Sequence, residues 1–357
     1  MPELALSTAP TAVRELVQSD PERRLSPEAR QALAEAVPEN TAKAYEGDWR
    51  RFTEWAEGFG RRPLPATPET LTEYAVHLTK TPRPRTGKPY GPGSIERALA
   101  SINTAHHAAG LTPPDSKGAR KVLAGYRAKL STANDPAARP KKASPAKPAV
   151  LRRFLAQLDR TTFKGKRDAA LLLLGVACAA RASDLVLLDI SSVTEHPEDR
   201  GVTVRVYRVK KKQWQDVAVM YGSNPDTCPV RAVRALIAAL AEAGRTDGPL
   251  FVRTGSGGRI APPMTRRGKP IGDPQGRMTT DAASDVVELL GERTATPGRW
   301  RSHSMRRGFV NGARDAGKDV VDIGRHGGWS DGSKALLGYI EEDDGWSERN
   351  PLVGFGL

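Results

Sequence analysis

The sequence predicts a mainly helical protein of two domains, with a small antiparallel β-sheet in the second domain (α+β). Apolar residues recur at spacings of three and four over most of the 357 residues, as on the buried faces of helices. Residues 202–209 and 216–221 instead alternate between apolar and polar, as strands do. A segment rich in proline and lysine, residues 132–149, separates the two helical regions and is predicted to be a linker.

The first domain is predicted over residues 39–131, after a partly ordered N-terminal arm, residues 1–38. We expect its helices from Asn40 to the Gly58 region, from Pro68 to about Thr79, from Ser94 to Ala109 and from Ser116 to Leu130. The first helix carries an aromatic stripe that is expected to be core: Tyr45, Trp49, Phe52, Trp55 and Phe59.

The second domain is predicted over residues 150–345, followed by an apolar C-terminal tail, residues 346–357. Helices are expected at 151–158, 168–180, 229–243 and 280–290. The two strands form a hairpin with its turn at KKKQWQ, residues 210–215, and residues 253–280 are expected to be a loop.

Charge and cysteine content limit the class of protein. The chain has 55 Lys and Arg against 41 Asp and Glu, a net charge of +14, which favours a polyanionic partner such as nucleic acid. Cys178 and Cys228 are too few for a disulfide framework or a cysteine-based zinc site. No secretory signal, membrane-spanning run or metal-ligand spacing is found, so we expect a cytoplasmic protein without a metal site.

The stretch from Arg301 to Tyr339 holds most of the candidate functional residues. His303-x-x-Arg306 places an imidazole and a guanidinium on one helix face, and that helix is predicted to end at Ala316-Gly317. The turn His326-Gly-Gly-Trp329 follows. A last helix, residues 333–342, is expected to carry Tyr339.

Two further basic groups lie upstream. Arg181 directly follows the apolar run 168–180, where a buried guanidinium needs a counter-charge. Asp184 or Asp189 could supply it, and an anionic ligand would serve equally well. The hairpin turn adds three lysines that could reach a DNA groove: Lys210, Lys211 and Lys212.

Together these groups suit metal-free attack on a phosphodiester. Arginines neutralise the non-bridging oxygens as charge gathers in the transition state. Tyrosine is the nucleophile, and with a solution pKa near 10 it needs a proton acceptor or strongly positive surroundings. A lysine ammonium suits protonation of the leaving 5′ oxygen.

From about residue 40 onward, the chain resembles the tyrosine recombinases, the family that includes the phage integrases, with a Cre-like active-site pattern. The resemblance is carried by Arg181-Ala-Ser-Asp184, His303-x-x-Arg306, Gly328-Trp329 and Tyr339. It implies a two-domain C-shaped clamp on DNA and site-specific recombination through a 3′-phosphotyrosyl link and a Holliday junction. It further implies that no cofactor is required, and that a monomer in free solution forms a tetramer on DNA.

The match has specific departures. Trp329 stands where most members of the family have a second histidine, and His326 is an alternative for that role. Asp184 replaces the commoner glutamate, and the spacing from Trp329 to Tyr339 is about one residue longer than usual. For the lysine we favour Lys210, which follows Arg208 as in Cre-like turns; Lys211 and Lys212 stay as alternatives.

Basic residues outside the motifs are candidate DNA contacts, and they lie on the first-domain helices and in the linker: Lys43, Arg50, Arg51, Arg97, Arg120, Lys121, Lys141 and Lys142. The apolar tail is expected to dock on the chain's own catalytic domain or on a neighbouring protomer. Two other functions stay open at this point, a DNA-binding accessory protein derived from a recombinase and a type IB topoisomerase-like enzyme.

Overall fold

The computed structural model of the protein describes residues 39–84, 86–139 and 141–340, with isolated positions at 26, 28, 29, 32 and 352. Most of the predicted N-terminal arm and C-terminal tail, and the last residues of the second predicted domain, 341–345, therefore lie outside the described residues. The chain divides into two compact units, Met1–Lys141 and Lys142–Leu357.

Over residues 39–84 and 86–139, the first unit contains four α-helices. Thr67 caps the second one, because its side-chain oxygen accepts a hydrogen bond from the Thr70 amide (3.2 Å). The four predicted helices are confirmed, with ends that shift by one or two residues. Their bounds are α1 Glu39–Gly58, α2 Pro68–Lys80, α3 Pro92–Ala108 and α4 Lys117–Thr132.

Aromatic residues of α1 make the centre of this unit. Trp49 and Phe52 are buried, and the Phe52 ring meets the Tyr74 ring edge-on at a centroid distance of 5.0 Å. The prediction that Phe59 belongs to the core is wrong, since its side chain is 66% exposed. Helix α1 ends at Gly58, so Phe59 leaves the helical face that carries the stripe.

The second unit combines helices with two small antiparallel sheets. The helices are α5 Pro148–Leu155, α6 Phe163–Ala177, α7 Ala182–Val186, α8 Pro229–Glu242, α9 Thr280–Arg293, α10 His303–Asp315, α11 Val320–His326 and α12 Lys334–Leu337. The strands are β1 Val193–Glu195, β2 Gly201–Arg208, β3 Gln213–Met220, β4 Met264–Arg266 and β5 Lys269–Ile271.

The mainly helical α+β fold predicted from the sequence is confirmed. Helix α6 runs through the core of this unit, with residues 171–174 buried, and it packs against α8 and α10. The larger sheet has the strand order β1-β2-β3, and the smaller one pairs β4 with β5. None of the helices in the described ranges is both long and apolar enough to cross a membrane.

The sequence misplaces several details of this unit. The helices predicted at 151–158 and 168–180 begin and end three to five residues earlier, at Pro148–Leu155 and Phe163–Ala177. The hairpin turn is shorter than predicted, because β2 and β3 pair up to Arg208 and Gln213 and leave residues 209–212 as the turn. Strands β1, β4 and β5 were missed, since three residues are too few for an alternation signal. The last helix ends at Leu337, where Gly338 weakens helix formation, so Tyr339 follows the helix instead of lying within it.

The end of the predicted linker is bound to the second unit. The amides of Ser144 and Ala146 donate to the carbonyl oxygens of Arg299 and Ser304, both at 2.8 Å. The backbone approaches α10 closely at Gly308, where an added Cβ would lie 2.3 Å from the Ala146 oxygen. Residues 144–147 are therefore packed as part of the second unit.

This close approach leads to a stability prediction. The substitution Gly308→Ala should lower the free energy of unfolding by about 1–3 kcal/mol, because the methyl group forces two backbone segments apart. Its matched control is Gly312→Ala, one helical turn later, where an added Cβ lies 3.4 Å from Pro148 Cδ. Since alanine favours helix by up to about 1 kcal/mol, the control should be neutral or stabilising in urea unfolding. Equal stability of the two variants would contradict the close contact.

Candidate active site

The C-terminal end of α6 fixes three basic side chains. Ala177 O accepts a hydrogen bond from His326 Nε2 (2.7 Å), and Cys178 O accepts one from Arg208 Nη2 (2.9 Å). Ala179 O accepts from Arg306 Nη1. Carbonyl groups at a helix C-terminus lack partners within the helix and attract cations. They therefore bring side chains from three separate elements to one place.

Arg306, on α10, is fully buried at the centre of the site. Its guanidinium carbon lies 3.5 Å from the Trp329 ring centroid, a cation–π contact. Burial, and then the nearby charge of Arg181, lower the pKa of Arg306 to about 9, so the group is still charged at pH 7. Its Nε and Nη2 atoms are buried and have no hydrogen-bond partner among the described residues.

Tyr339 lies beside Arg306 and Trp329. Its ring meets the Trp329 ring edge-on at 5.2 Å, and its centroid is 5.6 Å from the Arg306 guanidinium carbon. Two side chains of α10 hold the backbone here. Asn311 Nδ2 donates to Tyr339 O (3.0 Å), and Arg307 Nη1 donates to Gly338 O (3.3 Å). These bonds keep the tyrosine close to the arginine although its helix has ended.

His303 begins α10 and stacks on the tyrosine, with ring centroids 6.3 Å apart and an interplanar angle of 21°. The residue as a whole is exposed to solvent. Desolvation by the surrounding protein, followed by the charges of Arg181 and Arg306, holds the pKa of His303 below its ordinary value of 6.5. At pH 7 the ring is therefore mostly neutral and able to accept a proton.

Asp184 supplies the counter-charge for Arg181. The carboxylate is fully buried, accepts the Arg181 amide (3.2 Å), and lies 3.6 Å from Arg181 Nη1. Of the two partners considered from the sequence, the structure thus pairs Arg181 with Asp184, whereas Asp189 binds Arg277 at 2.7 Å. On its other side Asp184 lies 3.7 Å from Arg208 Nη1.

The structure brings six of the predicted site residues together, and His326 and the three turn lysines are not part of that cluster. Arg181, Asp184, His303, Arg306, Trp329 and Tyr339 form one cluster. His326 faces away from it, because its Nε2 is bound to Ala177 O and its ring stacks on Phe309 at 4.9 Å. Three lysines lie exposed on the β2–β3 turn, and the last adopts a positive φ of 53°: Lys210, Lys211 and Lys212.

Sequence reasoning missed four residues that hold this cluster in place: Arg208, Gln215, Arg307 and Asn311. Arg208 had a usable signal, since it continues the inward series Val202, Val204 and Val206 of strand β2. A charged residue at a core position of a strand indicates an internal partner. Arg307 and Asn311 gave no such signal, because their partners are backbone oxygens that only the fold supplies.

The candidate DNA contacts of the first unit differ in their surroundings. Arg51 and Arg97 both bind the buried carboxylate of Asp48, with Arg97 Nε at 2.7 Å from it. These two arginines therefore have a structural partner that the sequence did not reveal. Arg50 Nε lies 4.0 Å from Glu54. The other candidates are exposed on the helices or in the linker: Lys43, Arg120, Lys121, Lys141 and Lys142.

The arrangement can hold an oxyanion between arginines next to a phenol. Arg181 and Arg306 supply the positive charge, and His303 supplies a proton acceptor close to Tyr339. Within the ranges that the structure describes, no group of three or more His, Cys, Asp or Glu side chains is placed to hold a metal ion.

Solved structures identify the class of fold. The lambda integrase (75–356) dimer bound to a COC′ core site matches 89% of this chain and 94% of its own, at 12% identity and a TM-score of 0.56. The Tn1549 transposon integrase in complex with transposon right end DNA matches 92% and 96%, at 15% identity and a TM-score of 0.52. The fold is therefore that of the tyrosine recombinases and integrases.

Sequence comparison adds a relative. An integrase/recombinase xerD homolog of Selenomonas ruminantium is 28% identical over 314 residues, which cover 85% of this chain and 82% of the relative. No profile of a known protein family matches the chain. The resemblance to the tyrosine recombinases inferred from the motifs is confirmed by this relative and by the shared fold.

The electrostatics of the site lead to a pH prediction. Because the charge of Arg181 disfavours protonation of His303, the substitution Arg181→Gln should raise the pKa of His303 toward its ordinary value. NMR titration of the histidine ring signals measures this shift. Arg293→Gln makes the same charge change on the exposed last turn of α9 and should leave the pKa of His303 unchanged. An unchanged pKa in both variants would show that Arg181 does not act on the imidazole.

Proposed function

We propose that this protein is a site-specific DNA recombinase that cuts and rejoins strands through a tyrosine–phosphate link. The observation that carries the proposal is the buried guanidinium of Arg306 beside Tyr339. Two of its nitrogens, Nε and Nη2, have no hydrogen-bond partner among the described residues. A buried donor left unpaired costs about 1–3 kcal/mol, and the non-bridging oxygens of a DNA phosphate would satisfy both.

The remaining groups fit the two proton transfers that strand cleavage needs. Tyr339 Oη attacks the phosphorus and gives its proton to a base, and neutral His303 stacked beside it suits that role. The bond from phosphorus to the 5′ oxygen breaks, and a turn lysine protonates that oxygen. The products are a 3′-phosphotyrosyl link and a free 5′ hydroxyl. Attack of a 5′ hydroxyl from a partner duplex on the link reverses these steps and exchanges the strands.

Charge and the similar proteins support double-stranded DNA as the partner. The net charge of +14 and the exposed Arg120 and Lys121 of α4 favour contact with phosphates. The two similar integrases are described in complex with DNA. We propose that the protein meets its DNA in the cytoplasm as a monomer, and that four copies assemble on two sites. We also propose that the C-terminal tail, residues 346–357, links them.

The nucleophile is tested by covalent trapping. A duplex selected from a random-sequence pool by its binding to the protein is prepared with a nick moved one nucleotide at a time. A nick just 3′ of the cleavage site lets the short fragment that carries the free 5′ hydroxyl leave, so a protein–DNA product should accumulate on a denaturing gel. Tyr339→Phe removes the attacking oxygen and should abolish this band.

The matched control for this assay is Tyr221→Phe, since Tyr221 bonds to Asp199 at 2.8 Å in another part of the same unit. That variant should give the wild-type band. Binding without any covalent band at every nick position would indicate a DNA-binding accessory protein. A covalent band without joining of two differently labelled duplexes would indicate a topoisomerase-like enzyme.

The lysine that protonates the leaving oxygen is identified by means of a substrate in which sulfur replaces that oxygen. Loss of a general acid should slow cleavage by about 10²–10⁴-fold. A 5′-bridging sulfur leaves as a thiolate, because a thiol has a pKa of about 8.5, so it needs no proton. Among Lys210→Ala, Lys211→Ala and Lys212→Ala, we expect Lys210→Ala to be slow on the oxygen substrate and close to wild type on the sulfur substrate. If Lys211→Ala or Lys212→Ala shows this pattern instead, the assignment of Lys210 is wrong.

A further inference from the structure

Arg208 is a buried arginine at the base of the lysine turn, and the proposed chemistry gives it no direct role. It is the last residue of β2, and its side chain is 1% exposed. The three inward positions before it on β2 are valines. Placing a guanidinium at the end of such a series costs free energy unless its donors are bound. The partners of Arg208 therefore show what its burial achieves.

The guanidinium of Arg208 joins separate elements of the site. Nη2 donates to Cys178 O at the end of α6 (2.9 Å), and it lies 3.5 Å from His326 O at the end of α11. Nη1 lies 3.7 Å from the Asp184 carboxylate, which also pairs with Arg181. One side chain thus connects the sheet with the segments that carry Arg181 and Trp329.

Gln215 on β3 completes this connection. Its Oε1 accepts from Arg208 Nε (2.8 Å), and its Nε2 donates to the carbonyl oxygens of Arg325 (3.0 Å) and His326 (3.1 Å). The backbone at Gly328 lies directly against both side chains. An added Cβ there would be 2.6 Å from Gln215 Oε1 and 3.0 Å from Arg208 Nε, and its φ is +72°. The turn that leads to Trp329 is therefore built around Arg208 and Gln215.

The same network reaches the first residue of the lysine turn. The Val209 amide donates to Asp184 Oδ1 (3.3 Å), so the carboxylate that orients Arg181 also holds the start of residues 209–212. The lysine side chains themselves are exposed. Their position relative to Arg181 and Arg306 therefore depends on the anchored base of the hairpin.

We propose that Arg208 is a positioning residue that holds the lysine turn in place for proton transfer to the leaving 5′ oxygen. Gln215 supports it from the neighbouring strand. This inference rests on the proposed function, because it assigns the residues that place the general acid of that reaction. It predicts a defect that is larger where the leaving group must be protonated, which distinguishes it from a general role in folding.

The oxygen and sulfur substrates separate these two roles. In both, Tyr339 Oη forms the new bond to phosphorus. With the natural substrate the bond to the 5′ oxygen breaks and a lysine proton moves to that oxygen. With the 5′-bridging sulfur the bond from phosphorus to sulfur breaks and the thiolate leaves unprotonated. A misplaced lysine therefore slows only the first reaction.

The main variant is Arg208→Met, which keeps an unbranched side chain and removes the guanidinium donors. A small misplacement of a reacting group can cost about 100-fold in rate. We expect a loss with the oxygen substrate that exceeds the loss with the sulfur substrate by about that factor, because any effect on Arg181 or Trp329 slows both reactions alike. Arg208→Lys, which keeps the charge and part of the bonding, should recover part of the lost rate.

One further variant is the control, and another tests the inference even if Arg208→Met fails to fold. Arg167→Met removes another buried arginine, which binds Asp168 and Val252 O, and any loss of rate should be equal on the two substrates. Gln215→Ala leaves the charge of Arg208 in place and should fold even if Arg208→Met does not. We expect it to show the same substrate selectivity at a smaller loss.

The outcomes distinguish the inference from the proposed function. If wild type cleaves and the Arg208 and Gln215 variants lose rate equally on both substrates, their role is structural and the inference fails. Wild-type rates in both variants on both substrates would also overturn it. If wild-type protein forms no covalent product with either substrate, the proposed function itself fails.

Discussion

The active site depends on three consecutive carbonyl groups at the end of a buried helix. The C-terminal carbonyls of α6 cannot be satisfied within the helix, and they lie inside the protein, away from water. His326, Arg208 and Arg306 satisfy them, each from a different element. The two arginines make hydrogen bonds from a charged group, which contribute about 1.5–3 kcal/mol each. The need to complete one helix end therefore brings α10, α11 and the β2–β3 hairpin to the same place.

The carbonyl groups at the end of α6 also bring positive charges together, and nearby carboxylates neutralise only part of that charge. Asp184 lies between Arg181 and Arg208 and neutralises charge on that side. Arg306 instead faces the rings of Trp329 and Tyr339. An aromatic ring face is a weaker partner for a cation than a carboxylate is. The site is thus built to remain positive, which suits a surface that receives a phosphate.

Sequence reasoning succeeded where a local pattern carried the information. Helix ends such as Thr67-Pro68 and the spacing from His303 to Arg306 are read from neighbouring residues, and the structure bears them out. It failed where a side chain finds a distant partner. Asp48 binds Arg97 across 49 positions of sequence, and Arg208 binds the Cys178 oxygen across 30. Such pairings follow from the packing of the folded chain, and no periodic pattern in the sequence predicts them.

The position of Tyr339 shows the same limit at short range. The sequence places it on a helix, because the residues around it have helical spacing. The helix ends two residues earlier, at Leu337, and the tyrosine depends on Asn311 and Arg307 for its backbone contacts. Gly338 follows the last helical residue, and the helix preference of one residue is a weak predictor against its neighbours.

The binding of residues 144–147 along α10 limits where the junction of a chimeric protein can be placed. Ser144 and Ala146 are hydrogen-bonded to residues that flank and begin the helix of His303 and Arg306. A chimera that takes another N-terminal unit keeps these bonds only if its junction lies before Ser144. A fusion point placed a few residues later would replace a strip of the catalytic surface, although the composition of that strip suggests a linker.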